Sequence, residues 1–357
     1  MKALIFNPFG IGDVLFTTPL IRNLKENIKD ISIYYICNRR THPLLKNNIF
    51  LKKIFIFEKD EWREIFKKSK LKFFTKSLSF FLSLYKEEFD IVFDFSLNSQ
   101  YGAFLKLLGI KTRIGFNFHN RGRFLTHKIN IPKGFIDKPV ANYYLELLKF
   151  LNIRPKEYPF ELFIPEVILE RSKNFLKENI GSKGLLIGIC PGSGDSWGDN
   201  AYFKRWPQEN FLNLCKLLIS QLKVKLILLG SKSEDSICKY IYDNLEEKPL
   251  NLCGKTNLEE FCALVSLCSF LITNDGGAFH IAQALNKPTV VFFGPVSEKV
   301  YGSYPKNRKN FIFTSTIPCR PCYKEFKFRG CNFDKECLRR ISVEEVFFTI
   351  KNWLDNF

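Results

Sequence analysis

Short apolar runs alternate along the chain with longer segments whose apolar positions recur every three or four residues. The runs at 2–7, 31–37, 54–57 and 91–95 predict buried strands in the first half. Those at 185–190, 225–229, 250–256, 270–273 and 289–293 predict strands in the second. Between them, helical periodicity marks 14–28, 61–86, 101–109, 140–151, 166–179, 207–222, 257–267 and 281–285, and a last helix spans 342–355. Residues 113–116 fit a strand or a turn. Strands alternating with helices predict βαβ units and parallel sheets, an α/β fold. The pattern starts afresh after residues 153–165, a stretch with three prolines and little periodicity. A domain boundary is expected there. The division is 1–160 and 161–340, with a closing helix at 341–357 that is free to pack back on the first domain. A chain of 357 residues is also too long for one ordinary core and suits two.

Composition narrows the class. Hydrophobic residues make up 46% and charged residues 25%, an ordinary globular mixture. No apolar run approaches the roughly 20 residues that span a bilayer. The apolar stretch at 3–6 is too short for the core of a signal peptide, so a cytoplasmic protein is expected. Lys and Arg number 54 against 36 Asp and Glu, a net charge of +18. That surplus favours anionic partners: phosphorylated small molecules, nucleic acid or an anionic membrane face. Residues 61–86 hold seven Lys or Arg, two Glu and seven aromatics. They read either as a basic helix at a membrane surface or as an ordinary helix with a Phe-rich core face.

Of the 11 cysteines, seven (37, 190, 215, 238, 253, 262 and 268) lie in apolar segments and read as reduced, buried hydrophobes. Cys319, Cys322, Cys331 and Cys337 form C-x2-C-x8-C-x5-C. Four thiolates at such spacing could hold a structural zinc; reduced thiols or a disulfide in a surface loop are the alternative.

The candidate chemistry sits in the loops after the strands, where open α/β sheets bind ligands. Gly10-Ile11-Gly12-Asp13 follows the first strand, but Leu15 stands where a dinucleotide fingerprint has its third glycine. The second strand ends Asn38-Arg39-Arg40, with no acid for a ribose. A carboxylate at Asp13 would repel a pyrophosphate and suits a substrate hydroxyl, whose proton it could accept as general base. Helix capping is the plainer role. From 111 to 128 there are five Lys or Arg and no acid. Arg121 and Arg123, flanking Gly122, could fork an acidic acceptor or simply be solvated.

In the second half, Ser193 and Gly194 lie in a small-residue loop that could cradle phosphate. Lys204 and Arg205 are plausible phosphate neighbours at a loop–helix junction. Glu234, more than Asp235, stands where a ribose hydroxyl pair could be held. Asn274-Asp275-Gly276-Gly277-Ala278-Phe279-His280 reads as strand end, glycine turn and helix start, with Asp275 and His280 facing one small volume. The unpaired N–H groups of such a turn suit an anion.

These motifs together resemble glycosyltransferase family 9, the heptosyltransferases of lipopolysaccharide core synthesis. The residues that carry the resemblance are Gly10-Ile11-Gly12-Asp13 with Thr17-Thr18-Pro19, then Lys204-Arg205-Trp206-Pro207, then Asn274 to His280. It implies a GT-B fold, two Rossmann-like parallel-sheet domains facing across a cleft. It also implies inverting, metal-independent transfer of heptose from ADP-heptose to an anionic glycolipid acceptor, with no cofactor required. A peripheral position at the inner face of the cytoplasmic membrane fits that acceptor. Carried over by position, Asp13 is the base, and Gly12 and Thr17 lie on the acceptor side. Lys204 meets donor phosphate, Asp275 the sugar, Gly276 and Gly277 the diphosphate, Ser193 and Gly194 the phosphate loop, Glu234 the ribose, and Lys255-Thr256 the adenine. Two departures bear on the donor: the phosphate loop has glycine and serine where family members often carry threonines, and Gly276 stands where the family commonly has a hydroxyl residue. A different nucleotide-sugar donor therefore stays open. A nucleic-acid-binding protein is the distant alternative, and no recognition motif supports it.

Overall fold

The computed structural model describes residues 1–181, 184–306 and 309–356. They divide into two compact units, Met1–Phe135 with Val140–Tyr158, and Ile136–Pro139 with Pro159–Phe357.

The first unit is built on a parallel sheet of β1 (Lys2–Phe6), β2 (Ser32–Cys37), β3 (Leu51–Ile56), β4 (Ile91–Asp94), β5 (Thr112–Asn117) and β6 (His127–Asn130), in the order β3-β2-β1-β4-β5-β6. Leu4, Phe6, Tyr34, Ile36, Phe55 and Val92 bury one face against Leu84, Leu105 and Leu108 of the covering helices. Strand order reverses between β1 and β4, because β2 lies on the far side of β1. The loops leaving β1 and β4 therefore diverge and open a crevice at their carboxyl ends.

The periodic stretch predicted as one helix at 14–28 forms two, Ile11–Leu15 and Thr18–Asn27. Pro19 lies in the first turn of the second, where its missing N–H costs nothing; further inside a continuous helix it would break the ladder. Likewise 61–86 falls within two helices, Lys59–Lys68 and Lys70–Tyr85. Ser69 between them is extended, and its hydroxyl accepts from the Lys72 N–H as an N-cap.

The second unit repeats the plan with β7 (Leu186–Cys190), β8 (Lys225–Leu228), β9 (Leu250–Asn251), β10 (Phe270–Asn274), β11 (Thr289–Phe292) and β12 (Asn310–Phe313). Its order, β12-β11-β10-β7-β8-β9, is that of the first sheet read from the other end. The switch point is now between β7 and β10, which pair directly. The closing helix Val343–Asp355, which its sequence leaves free to return to the first domain, is instead committed to the second. Val346, Phe347 and Ile350 are buried in the same core as Phe211, Leu214 and Leu218 of the helix Gln208–Leu222. Trp353 sets its ring edge-on to Phe270 of β10 at 5.5 Å.

Candidate active site

The second unit gathers most of the residues named from the sequence around its switch point. Asn274, the last residue of β10, is fully buried and organises them. Its amide donates to the carbonyls of Pro191 and Gly192 at 2.8 and 2.9 Å, and its oxygen accepts from the Trp206 N–H at 2.8 Å. One side chain thus ties the loop after β7 to the Lys204-Arg205-Trp206-Pro207 junction. Arg205 adds a bond from Nε to the Ser193 carbonyl at 3.0 Å. Trp206 is itself fixed, stacked on Phe292 at 4.2 Å with Nε1 donating to the Ile341 carbonyl. Asn274 drew no role from sequence because a polar residue ending a strand looks like any turn. Asn274→Asp should destabilise the second unit by about 3 kcal/mol or more, since it sets a carboxylate against two buried carbonyl oxygens. A urea titration followed by Trp fluorescence reads this, and a midpoint equal to wild type would contradict the assigned bonds.

Next to Asn274, Asp275 and Lys204 form a buried ion pair, Nζ to Oδ2 2.7 Å. The approach lies off the line of a hydrogen bond, so the buried Oδ2 has no hydrogen-bond partner among the described residues. Nζ also lies 4.9 Å from the ring centre of Trp197. His280, in the first turn of the helix Gly277–Ala284, is buried beside both groups. Burial pushes its pKa down to about 4; Asp275 opposes that shift and Lys204 adds to it. The imidazole is therefore neutral at physiological pH and offers the site a hydrogen bond, not a charge.

Ser193, Gly194, Gly276 and Gly277 are half-buried, with the glycine turn leading into that helix. Gly194 has φ of +80°, a left-handed conformation that favours glycine. The Ser193 hydroxyl donates to the Asp275 carbonyl. It sits 2.4 Å from where a Cβ on Gly276 would be. The Ser193 hydroxyl thus fills the space beside the Gly276 Cα. Glu234 is wedged against the loop after β7: a Cβ on Gly192 would lie 2.1 Å from its carboxyl group. One carboxylate oxygen accepts from the Ser231 N–H at 2.8 Å. The Lys255–Thr256 turn is next along, with Gly254 packed on the Lys232 backbone and the Lys255 ammonium on the Asn251 carbonyl.

In the first unit, Asp13 stands in the helix Ile11–Leu15, half-exposed, with Oδ2 accepting from the Gly10 N–H at 3.1 Å. Asn7 holds the loop from below through its amide on the Asp13 carbonyl at 2.9 Å. Asn38 holds it from the side through bonds to the carbonyls of Pro8 and Phe9. Arg40, unassigned from sequence, brings Nη2 to 3.9 Å from a Gly10 Cβ position, with Asp13 Oδ2 at 3.5 Å from the same point. A guanidinium and a carboxylate thus flank one glycine. Gly12 is half-exposed beside them. Thr17 is corrected: it is fully buried, its hydroxyl donating to the Val14 carbonyl at 2.6 Å and lying 3.0 Å from the Tyr35 hydroxyl. It braces the Asp13 helix from inside and offers nothing to an acceptor. Arg121 and Arg123 are exposed in the loop after β5, each over a neighbouring phenylalanine ring, Phe118 and Phe124.

Asp94, at the end of β4 beside Phe6, is a buried acid that sequence reading passed over. Burial raises its pKa to about 6, against the lowering effect of its bonds from Ser96. A carboxyl raised in the folded state favours folding at low pH, and that contribution is lost as pH rises through about 6. Asp94→Asn should therefore stabilise the protein by about 3 kcal/mol at pH 8 and lose that advantage below about pH 4. Thermal unfolding across that range checks the sign.

Cys319, Cys322, Cys331 and Cys337 lie near enough for each of the other three to act on the Cys337 thiol, which burial pushes up to about 11. Among the described residues no group of three or more His, Cys, Asp or Glu is arranged to hold a metal. All four are free thiols. Their segment instead buttresses the site: in the hairpin Tyr323–Lys324 with Lys327–Phe328, the rings of Tyr323 and Phe328 pack on Trp197 at 5.1 Å.

Two six-stranded parallel sheets of this order, each with its loops at a switch point, make up the GT-B fold. The chain belongs to glycosyltransferase family 9 (heptosyltransferase), matched over residues 77–331. It is 26% identical over 360 residues to lipooligosaccharide heptosyltransferase 2 of Campylobacter jejuni, covering 100% of this chain and 99% of that one. Its fold matches ADP-heptose lps heptosyltransferase II of Escherichia coli with a TM-score of 0.76 at 21% identity, covering 100% and 99% of the two chains. The glycosyl transferase family 9 structure from Veillonella parvula gives 0.80 at 20% identity, covering 100% and 98%.

Proposed function

We propose that the chain transfers heptose from ADP-heptose to the lipopolysaccharide core or a related anionic glycolipid, with inversion and without a metal. The observation that carries the donor side is the buried Lys204–Asp275 pair whose carboxylate Oδ2 lacks a hydrogen bond. Such a pair is poorly compensated as it stands, and a ligand with one anionic and one hydroxyl-bearing group completes it. Lys204 turns to the leaving phosphate and Asp275 accepts from the sugar. Ser193, Gly194, Gly276 and Gly277 present backbone N–H groups to the diphosphate, and the start of the helix Gly277–Ala284 adds its dipole. His280 donates as a neutral ring, Glu234 takes the ribose hydroxyls, and the Lys255–Thr256 turn borders the base.

On the first unit, Asp13 removes the acceptor hydroxyl's proton as the bond to the anomeric carbon forms on the face opposite the ADP. Gly12 leaves room for that hydroxyl. Arg40, Arg121 and Arg123 attract the acceptor's acidic groups, in keeping with the net charge of +18. The acceptor places the reaction at the inner face of the cytoplasmic membrane. The test is product analysis by mass spectrometry with ADP-heptose, UDP- and GDP-sugars, and core-oligosaccharide acceptors, with and without EDTA. Transfer from ADP-heptose that survives EDTA is expected. Transfer from a UDP- or GDP-sugar alone would overturn the donor assignment, and loss in EDTA the metal independence.

A further inference from the structure

The helix Lys70–Tyr85 has two apolar faces, and the core uses one. Phe80, Phe81 and Leu84 pack toward the first unit's core. On the opposite side Leu71, Phe74, Leu78, Leu82 and Tyr85 recur at intervals of three and four residues, a single stripe along the helix. All five are between 42 and 73% exposed. Phe66, 51% exposed, ends the preceding helix nearby in sequence. A row of large apolar side chains in water over sixteen residues is unlike the scattered exposure of an ordinary surface. Along this segment the charge has one sign: residues 65–86 contain six lysines and no acid. Lys67, Lys68, Lys70, Lys72 and Lys86 are exposed around the stripe, while Lys76 turns to Glu61.

We propose that this helix is the protein's membrane-docking element, lying in the plane of an anionic bilayer. The stripe enters the boundary between headgroups and acyl chains, and the lysines meet the lipid phosphates beside it. The charge pattern selects this occupant. A second copy of the chain would bring a lysine-rich surface against itself. Nucleic acid would leave the apolar stripe in water. An anionic lipid surface answers both features at once, about 1 kcal/mol per lysine near the surface adding to burial of the stripe. No helix among the described residues is long and apolar enough to cross a membrane, so the contact is one of lying on the surface. The element stands on its own geometry and is independent of which sugar the enzyme transfers.

The test is vesicle flotation of the full chain without sugar nucleotide, on phosphatidylglycerol-containing and on pure phosphatidylcholine vesicles. Wild type should float with the anionic vesicles and bind the neutral ones about tenfold less. Phe74→Ser/Leu78→Ser should bind anionic vesicles about tenfold or more weakly. Lys67→Gln/Lys68→Gln/Lys70→Gln/Lys72→Gln should weaken binding and flatten its salt dependence. Both variants change exposed side chains, so their melting temperatures should equal that of wild type, as should their transfer rates to a soluble, delipidated acceptor. Unchanged vesicle binding by the Phe74→Ser/Leu78→Ser variant overturns the proposal. So does a wild-type dimer that this variant converts to monomer while vesicle binding persists, which would give the stripe to a second copy. Failure of sugar transfer with vesicle binding intact would refute the proposed reaction and leave the docking element standing.

Discussion

Asp13→Asn should lower kcat by about 10²–10⁴-fold while ADP affinity, measured by calorimetry, stays within about twofold of wild type. The substitution is nearly isosteric. Its amide oxygen can still accept from the Gly10 N–H, the bond that fixes the side chain. What it cannot do is take a proton. The residues proposed for the donor all lie in the other unit, after β7 to β10, so on that proposal ADP binding is unaltered. The two readouts therefore separate. Loss of turnover alone fits a base, whereas a parallel loss of ADP binding would move Asp13 to the donor side. Retained turnover would leave it only a cap.

The second large effect concerns Lys204. Lys204→Met should abolish measurable ADP-sugar binding and also destabilise the second unit by about 3–5 kcal/mol, because it strands Asp275 as a buried, uncompensated carboxylate. Adding Asp275→Asn should restore most of the stability, since a neutral amide tolerates the site without a cation. It should not restore binding, because the positive charge for the leaving phosphate is still missing. Recovery of both properties would mean that the pair is structural and that phosphate is held elsewhere. Recovery of neither would mean that Lys204 stabilises the loop by some route other than this carboxylate.

Much of the architecture could be read from apolar runs because central parallel strands are buried on both faces. β1, β4, β7 and β10 are of this kind, and each stands out as a short continuous run. The strands that escaped notice are at the edges. β6, His-Lys-Ile-Asn, is mostly exposed and carries no alternation to betray it. β12 is half-buried and follows a loop that masks its start. The helix Asp235–Asp243 was hidden by the charged run before it.

At the site, residues that act through chemistry were easier to find than residues that position them. Asp13 and Asp275 announce themselves by charge beside glycine, and Lys204 by charge at a loop–helix junction. Asn38 and Asn274 do their work by bonding backbone carbonyls far away in sequence, and Asn7 by bonding one across the loop, which no local pattern encodes. Asp94 could have been found by the reasoning applied to Glu234, an acid where a strand ends. Thr17 was misread because a hydroxyl near a catalytic loop looks the same in sequence whether it faces a ligand or a buried tyrosine.

Ser193 and Gly276 carry a consequence for how such sites diverge. The Ser193 hydroxyl occupies the space that a side chain at 276 would fill. A hydroxyl at both positions collides, and a hydroxyl at neither leaves the turn without one. Substituting one position in isolation, as when a relative's residue is grafted at 276, should therefore meet sign epistasis that disappears once Ser193 is exchanged as well.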